Sequence, residues 1–347
     1  MPGGADAVDR IVTQIPLSVL DLAPVATGSS VGTALRHTTT LAQRAEELGY
    51  RRFWVAEHHN MPGIASSAPA VLLAHLAAHT STIRIGSGGV MLPNHAPLVV
   101  AEQFGTLEAL HPGRVDLGIG RAPGTDQLTA LALRRTAEGL NAEDFPRELG
   151  ALIGYFQGDA RLRITATPGK DDMPAIWLLG SSGYSAQLAG LLGLPFAFAH
   201  HFSGQNTVAA LALYRENFRP SAHLDRPYTM IGVNAICADT DEQAQWLSGP
   251  SRLAMIRLRQ GRPGQLPTPQ EAAAYPYTPA EREVADQRFV DQALGSPETV
   301  RRQLQDLLAR TRVDELMLTT MVFDIADRIR SFELIAEKVA PELSTVD

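Results

Sequence analysis

Residues 82–120 read TIRIGSGGVMLPNHAPLVVAEQFGTLEALHPGRVDLGIG. TIRIGSGGVML is an apolar run of strand length that carries β-branched residues. PLVVAEQFGTLEALHPG repeats apolar residues at helical spacing and stops near Gly113, and RVDLGIG returns to a strand. Strands joined through a whole helix are read as parallel, because a crossover of a dozen or more residues is what returns the chain to the same edge of a sheet. Near the end of the first strand stand Gly88 and Gly89. Each glycine there costs about 0.5–1 kcal/mol of extra chain entropy and packs nothing. Crowding by neighbouring atoms would require them, and so would a flat ligand resting on bare backbone.

The same alternation extends in both directions. Strands are expected to begin at Ile15, Arg52, Ile83, Val115, Ala175, Phe196, Thr229 and Glu315. Helices fall between them; in HTTTLAQRAEELGY, for example, Leu41, Ala45 and Leu48 form a stripe and Gly49 is placed as a C-cap. Eight such units in 347 residues predict an α/β fold, a (β/α)8 TIM barrel whose frame takes about 250 residues. The remainder goes into insertions after strands four and seven, within a single domain spanning 1–347. The second insertion, residues 257–284, is rich in Pro, Gly and Gln and poor in apolar residues; it is expected to be a loop or lid carrying Tyr275 and Tyr277. A doubly wound sheet is disfavoured, since LDLAPVATGSS after the first strand lacks the GxGxxG spacing.

Composition narrows the partners. With 45% hydrophobic and 19% charged residues the chain suits a globular enzyme, and its net charge of -7, with acidic residues interleaved among arginines, provides no basic field for nucleic acid. The single cysteine, Cys237, excludes an intrachain disulfide and is expected to be a buried thiol within IGVNAICA. MPGGADAVDR is polar and acidic, and no apolar run reaches 18 residues without polar interruption, so the expected location is cytoplasmic, with no membrane contact.

Barrel enzymes draw their chemistry from the C-terminal ends of the strands. Strand two is followed by Glu57, His58, His59 and Asn60, but adjacent strand residues point to opposite faces and no HExxH spacing is present, so no metal site is expected. After strand five, Ser181, Ser182, Gly183 and Tyr184 open a helix. Backbone N–H groups and hydroxyls there form a cradle of phosphate size, although serine is also an ordinary N-cap. Arg121, after strand four, adds a guanidinium that can pair with phosphate or bridge to Asp116 or Asp126. Together these residues describe a phosphorylated planar cofactor, its phosphate near Arg121 and Ser181–Tyr184 and its ring over Gly88 and Gly89. On that reading valine at Gly89 is expected to weaken the cofactor more than the fold.

Three stretches sharpen the picture: FWVAEHHN (53–60), the block from IRIGSGG to GIGRAPG (83–124), and WLLGSSGYSAQLAGLLGLPFAFAHHF (177–202). With them the chain resembles the bacterial luciferase-like monooxygenase family, and within it the single-component branch of luciferase-like oxidoreductases of the MsnO8 kind. The resemblance is dense over residues 15–205 and thinner until DELMLTTMV. It implies a barrel that takes reduced FMN from a separate flavin reductase and, with O2, oxygenates a small organic substrate through a flavin hydroperoxide. It further implies a cis peptide at Gly88–Gly89 beneath the flavin, His58 as the catalytic histidine, Arg121 and the Ser181, Ser182, Gly183, Tyr184 run as phosphate contacts, and a homodimer formed through helices beside the early strands. Luciferase has a cysteine where this chain has Gly120, and Glu-Ser where it has Gly180 and Ser181, so light emission is not expected. Hydride transfer by a deazaflavin without O2, and flavin binding without catalysis, are the rival readings.

Overall fold

The computed structural model describes residues 14–122, 124–134 and 144–344; the reading of MPGGADAVDR, and the start of the insertion after strand four, fall outside these. Nine strands follow one another: β1 Leu17–Asp21, β2 Arg52–Val55, β3 Arg84–Met91, β4 Val115–Gly120, β5 Ala175–Gly180, β6 Phe196–Phe198, β7 Thr229–Cys237, β8 Ala293–Gly295 and β9 Glu315–Thr319. Hydrogen bonding runs β1 to β7 in sequence, then β7 to β9 and β9 back to β1, all parallel, which closes an eight-stranded barrel surrounded by helices. All eight expected strands are present.

The insertion after β7 carries helices among its loops. Residues 257–284 take in the end of the helix Asp241–Arg259, the helix Pro269–Ala274 and the start of the helix Pro279–Phe289, with loops between them. The signal was in the sequence. Thr268-Pro269-Gln270-Glu271 and Thr278-Pro279-Ala280-Glu281 are both a capping threonine, a proline in the first turn and a glutamate three residues on. The second forms a full capping box, in which Glu281 accepts from the Thr278 N–H at 2.8 Å. β8 was unforeseen. It pairs with Ala235–Cys237, the part of β7 that has run past its barrel neighbour β9.

Strand alternation sorts the barrel's interior into layers. In β9 Leu316 and Leu318 point outward into the main core, while Glu315, Met317 and Thr319 point inward. Glu315 belongs to a buried polar floor: Arg52 donates to it at 2.9 Å and to Asp116 at 2.8 Å, and Arg84 reaches Asp116 at 2.6 Å. Above this floor Leu20, Trp54, Trp177, Met230 and Met317 fill the middle. Cys237 is buried, as expected, and burial pushes its thiol up to about 12. No helix among the described residues is long and apolar enough to cross a membrane.

Candidate active site

Above the middle layer the barrel opens into two adjoining cavities of about 230 and about 210 Å³. Leu20, Gly88, His201 and Phe202 line both and form the division between them. Neither cavity alone reaches the roughly 300 Å³ at which small-molecule sites begin, so a cofactor with a substrate needs both.

Of the expected anion groups, Arg121, Ser181 and Ser182 line the second cavity, while Gly183 and Tyr184 do not. Ser182 is the N-cap of the helix Gly183–Leu192, yet its side chain makes no capping bond, so the hydroxyl and the first helical N–H groups are open to a ligand. Arg121 bridges to neither of the two expected carboxylates. Asp116 is taken by Arg52 and Arg84, Asp126 accepts from Asn60 and Thr129, and among the described residues no carboxylate lies within ion-pair distance of Arg121. Its guanidinium stacks instead over the Tyr184 ring, 4.3 Å from the centroid. These groups suit a phosphate.

The glycine pair divides. The Gly88–Gly89 peptide is cis. Gly88 lines both cavities, and a Cβ on it would come within 2.7 Å of Leu20 Cδ1 and 3.1 Å of Trp54. Gly89 lines neither cavity; its Cβ would lie 2.8 Å from the carbonyl oxygen of Gly118 on β4. The bare floor of the cavity is therefore at Gly88, whereas Gly89 answers to crowding by a neighbouring backbone.

His58 lines the first cavity, and Glu57 beside it is fully buried. Glu57 accepts hydrogen bonds from His59 Nε2 at 2.9 Å, His95 Nε2 at 2.9 Å, Asn94 Nδ2 at 3.1 Å and the Met91 N–H at 3.0 Å. Burial works to raise this carboxyl, but the bonds from His95, His59 and Met91 outweigh it and hold the pKa below the usual range. His58 Nδ1 donates to the carbonyl of Gly124 at 3.2 Å. Gly124 meets it from the left-handed region, φ 66°, where a Cβ would press on Glu57 O at 2.9 Å. With Nδ1 engaged, Nε2 on the opposite side of the ring is the acceptor offered to the cavity. Burial is the main influence on His58 and lowers its pKa, so the ring is neutral at pH 7.

Several lining residues escaped the sequence reading. His201 donates through Nδ1 to Gly232 O at 3.1 Å, and Gly232 gives it room, since a Cβ there would sit 2.6 Å from that nitrogen. Asn234 and Ile236 follow Gly232 at every second position of β7, as Thr319 follows Met317 in β9. Strand alternation on TMIGVNAIC and DELMLTTMV would have found them. Tyr275 and Tyr277 lie elsewhere: their rings meet edge to face, and Tyr277 lines a separate depression with Trp246 and Arg252.

A parallel (β/α)8 barrel with an anion cradle after its fourth and fifth strands and an apolar chamber beyond defines a class of cofactor-dependent barrel enzymes. A family model described as luciferase-like monooxygenase matches residues 15–315, and the chain belongs to that family. It is accordingly an enzyme of the FMN-dependent luciferase-like monooxygenase class. It is 53% identical over 323 residues to the protein YvbT of Bacillus subtilis strain 168, covering 92% of this chain and 96% of that one. It is 49% identical over 321 residues to a luciferase-like monooxygenase of Escherichia coli strain K12, again covering 92% and 96%. Among solved structures, apo-MsnO8 is similar with a TM-score of 0.87 at 41% identity, covering 96% of this chain and 100% of that one.

Proposed function

We propose that the chain binds FMN, delivered reduced by a separate flavin reductase, with its phosphate at Arg121, Ser181 and Ser182 and its ring over Gly88, and that it oxygenates a small organic molecule held in the first cavity. The observation carrying this reading is the pairing, in one chamber, of a Ser182 hydroxyl that makes no capping bond and an Arg121 with no carboxylate partner among the described residues, with His58 in the next. When bound, reduced flavin supplies the activation of O2 and the transfer of one oxygen atom. The protein's part is positional. Arg121 would hold the phosphate, the Gly88 backbone would leave room for a planar ring, and His58 Nε2 would be the group placed to accept a hydrogen bond or proton from a ligand in the first cavity. Apolar walls keep water away, and residues 263–266 roof the chamber. Leu266 is tied there by bonds to Val25 O at 2.8 Å and from the Thr27 N–H at 2.9 Å.

Anaerobic titration with reduced FMN and with a reduced deazaflavin tests this. Reduced FMN is expected to bind at least about tenfold more tightly. Tighter binding of the deazaflavin would replace oxygenation with hydride transfer. Tight FMN binding with no product from any substrate would support a flavin carrier instead.

A further inference from the structure

The loops after β2 and β4 meet residue for residue above the end of β3, which lies between those strands in the barrel. His58 Nδ1 donates to Gly124 O at 3.2 Å, the Thr125 hydroxyl to His59 O at 2.9 Å, and Asn60 Nδ2 to Asp126 Oδ2 at 3.0 Å. Consecutive residues of one loop thus hold consecutive residues of the other, in the same order. The loops are also in close contact: the Cβ that Gly124 lacks would come within 2.9 Å of Glu57 O and 3.2 Å of Met91 Cγ.

The outermost of these bonds is the one that local structure does not require. Asp126 stands at the head of the helix Gln127–Arg134, where it accepts from the Thr129 N–H at 3.0 Å and the Thr129 hydroxyl at 2.7 Å. A serine would cap that helix as well and would not reach Asn60. Asn60 has φ 54°, in the left-handed region where glycine is the ordinary choice, and a glycine would have no amide to donate. With Asn60 and Thr129 as donors, the Asp126 carboxyl is held well below the usual carboxylate range, so the acceptor stays charged at any working pH. Arg121 precedes Gly124 by three positions in the same loop; it lines the second cavity and lies over the Tyr184 ring.

We propose that Asn60 and Asp126 are positioning residues, a latch that makes the seating of an anion at Arg121 and the presentation of His58 Nε2 to the first cavity one coupled event. Gly124 O is the hydrogen-bond partner of the His58 ring among the described residues, so the ring turns with the loop that carries Arg121. Latched, that loop has one position that serves both groups. Unlatched, Arg121 follows the anion without carrying the histidine along. Such coupling is reciprocal, and its place in a reaction rests on the flavin reading, but it is measurable without flavin.

The isotope-labelled, flavin-free protein and its Asp126→Ser, Asn60→Gly and Asp126→Asn variants are titrated with inorganic phosphate. NMR follows the His58 ring and the Arg121 Nε–H, assigned by their loss in His58→Gln and Arg121→Lys. Asp126→Ser keeps the helix cap and Asn60→Gly keeps the backbone turn, so each removes the latch alone; Asp126→Asn keeps the cap and can pair amide to amide with Asn60. In the unaltered protein and in Asp126→Asn, phosphate is expected to shift both signals with the same dissociation constant. In Asp126→Ser and Asn60→Gly it should shift Arg121 and leave His58 unmoved. FMN should bind those latch variants about fivefold more weakly, whereas riboflavin, which has no phosphate, should stay within about twofold of the unaltered protein. Equal losses of FMN and riboflavin affinity would reduce the latch to loop packing and overturn the proposal, as would a His58 signal that follows phosphate alike with and without the latch. Phosphate that moves Arg121 but not His58 in the unaltered protein would overturn the coupling and leave the anion site in place; phosphate that moves neither would remove both. If FMN fails to bind while phosphate still moves both signals, the flavin reading fails alone.

Discussion

Arg121 carries the charge at the cradle, and its planar fork is what a phosphate reads. Arg121→Ala should therefore lower FMN affinity by about 1.5–3 kcal/mol, roughly 10- to 150-fold, with Arg121→Lys between the two. Quenching of flavin fluorescence measures it, and an unchanged constant would move the phosphate elsewhere. His58 acts on the reacting oxygen, so His58→Gln should shift FMN affinity by less than about tenfold while changing the partition of consumed O2 between product and free hydrogen peroxide. The pH profile gives the sign. Burial lowers the His58 pKa, so the neutral ring persists below the ordinary imidazole value of about 6.5, and activity that needs it should stay level as the pH falls to that value and decline only beneath it. An unaltered acidic limb in His58→Gln would assign that limb to another group. His58 was legible from the EHH triplet and the resemblance. His201 was not, because what marks it is a partner held across the barrel.

At the scale of strands, the two glycines should separate in experiment. An added Cβ at Gly89 meets the Gly118 carbonyl, which cannot step aside without breaking the β3–β4 pairing. At Gly88 it meets the end of the Leu20 side chain, which can rotate. Gly89→Ala should therefore lower the melting temperature of the flavin-free protein by more than Gly88→Ala does, and Gly88→Ala should lose more FMN affinity per degree lost. Equal losses in both would mean that Gly88 too serves only packing. The sequence reading had left ring contact and crowding open for both glycines alike. A one-residue step along a strand turns the side-chain direction to the other face, and the sequence does not print which of two adjacent glycines faces the pore.

For the whole molecule, an exposed apolar face beside the early strands bears on association. The helices Pro69–Ala78 and Pro97–Leu110 pack side by side on the outside of the early strands, and between them expose Val71 at 72%, Val99 at 44% and Leu110 at 66%. A homodimer through this face predicts a mass near twice 37.4 kDa by light scattering, and Val71→Glu should shift it towards the monomer; a monomer at every concentration ends the idea. The strand–helix alternation, the absence of a basic field and the residue types at the strand ends could all be read along the chain. Each is encoded in neighbours a few positions apart, where periodicity and capping act. The polar floor that joins Arg52 to Asp116 and Glu315, the division of the mouth by His201 and Phe202, the roof pinned through Leu266 to Val25, and the bond from Asn60 to Asp126 come from the tertiary structure alone. They depend on which distant residues barrel closure brings within hydrogen-bonding reach, and a cavity is defined by the surfaces that fail to meet.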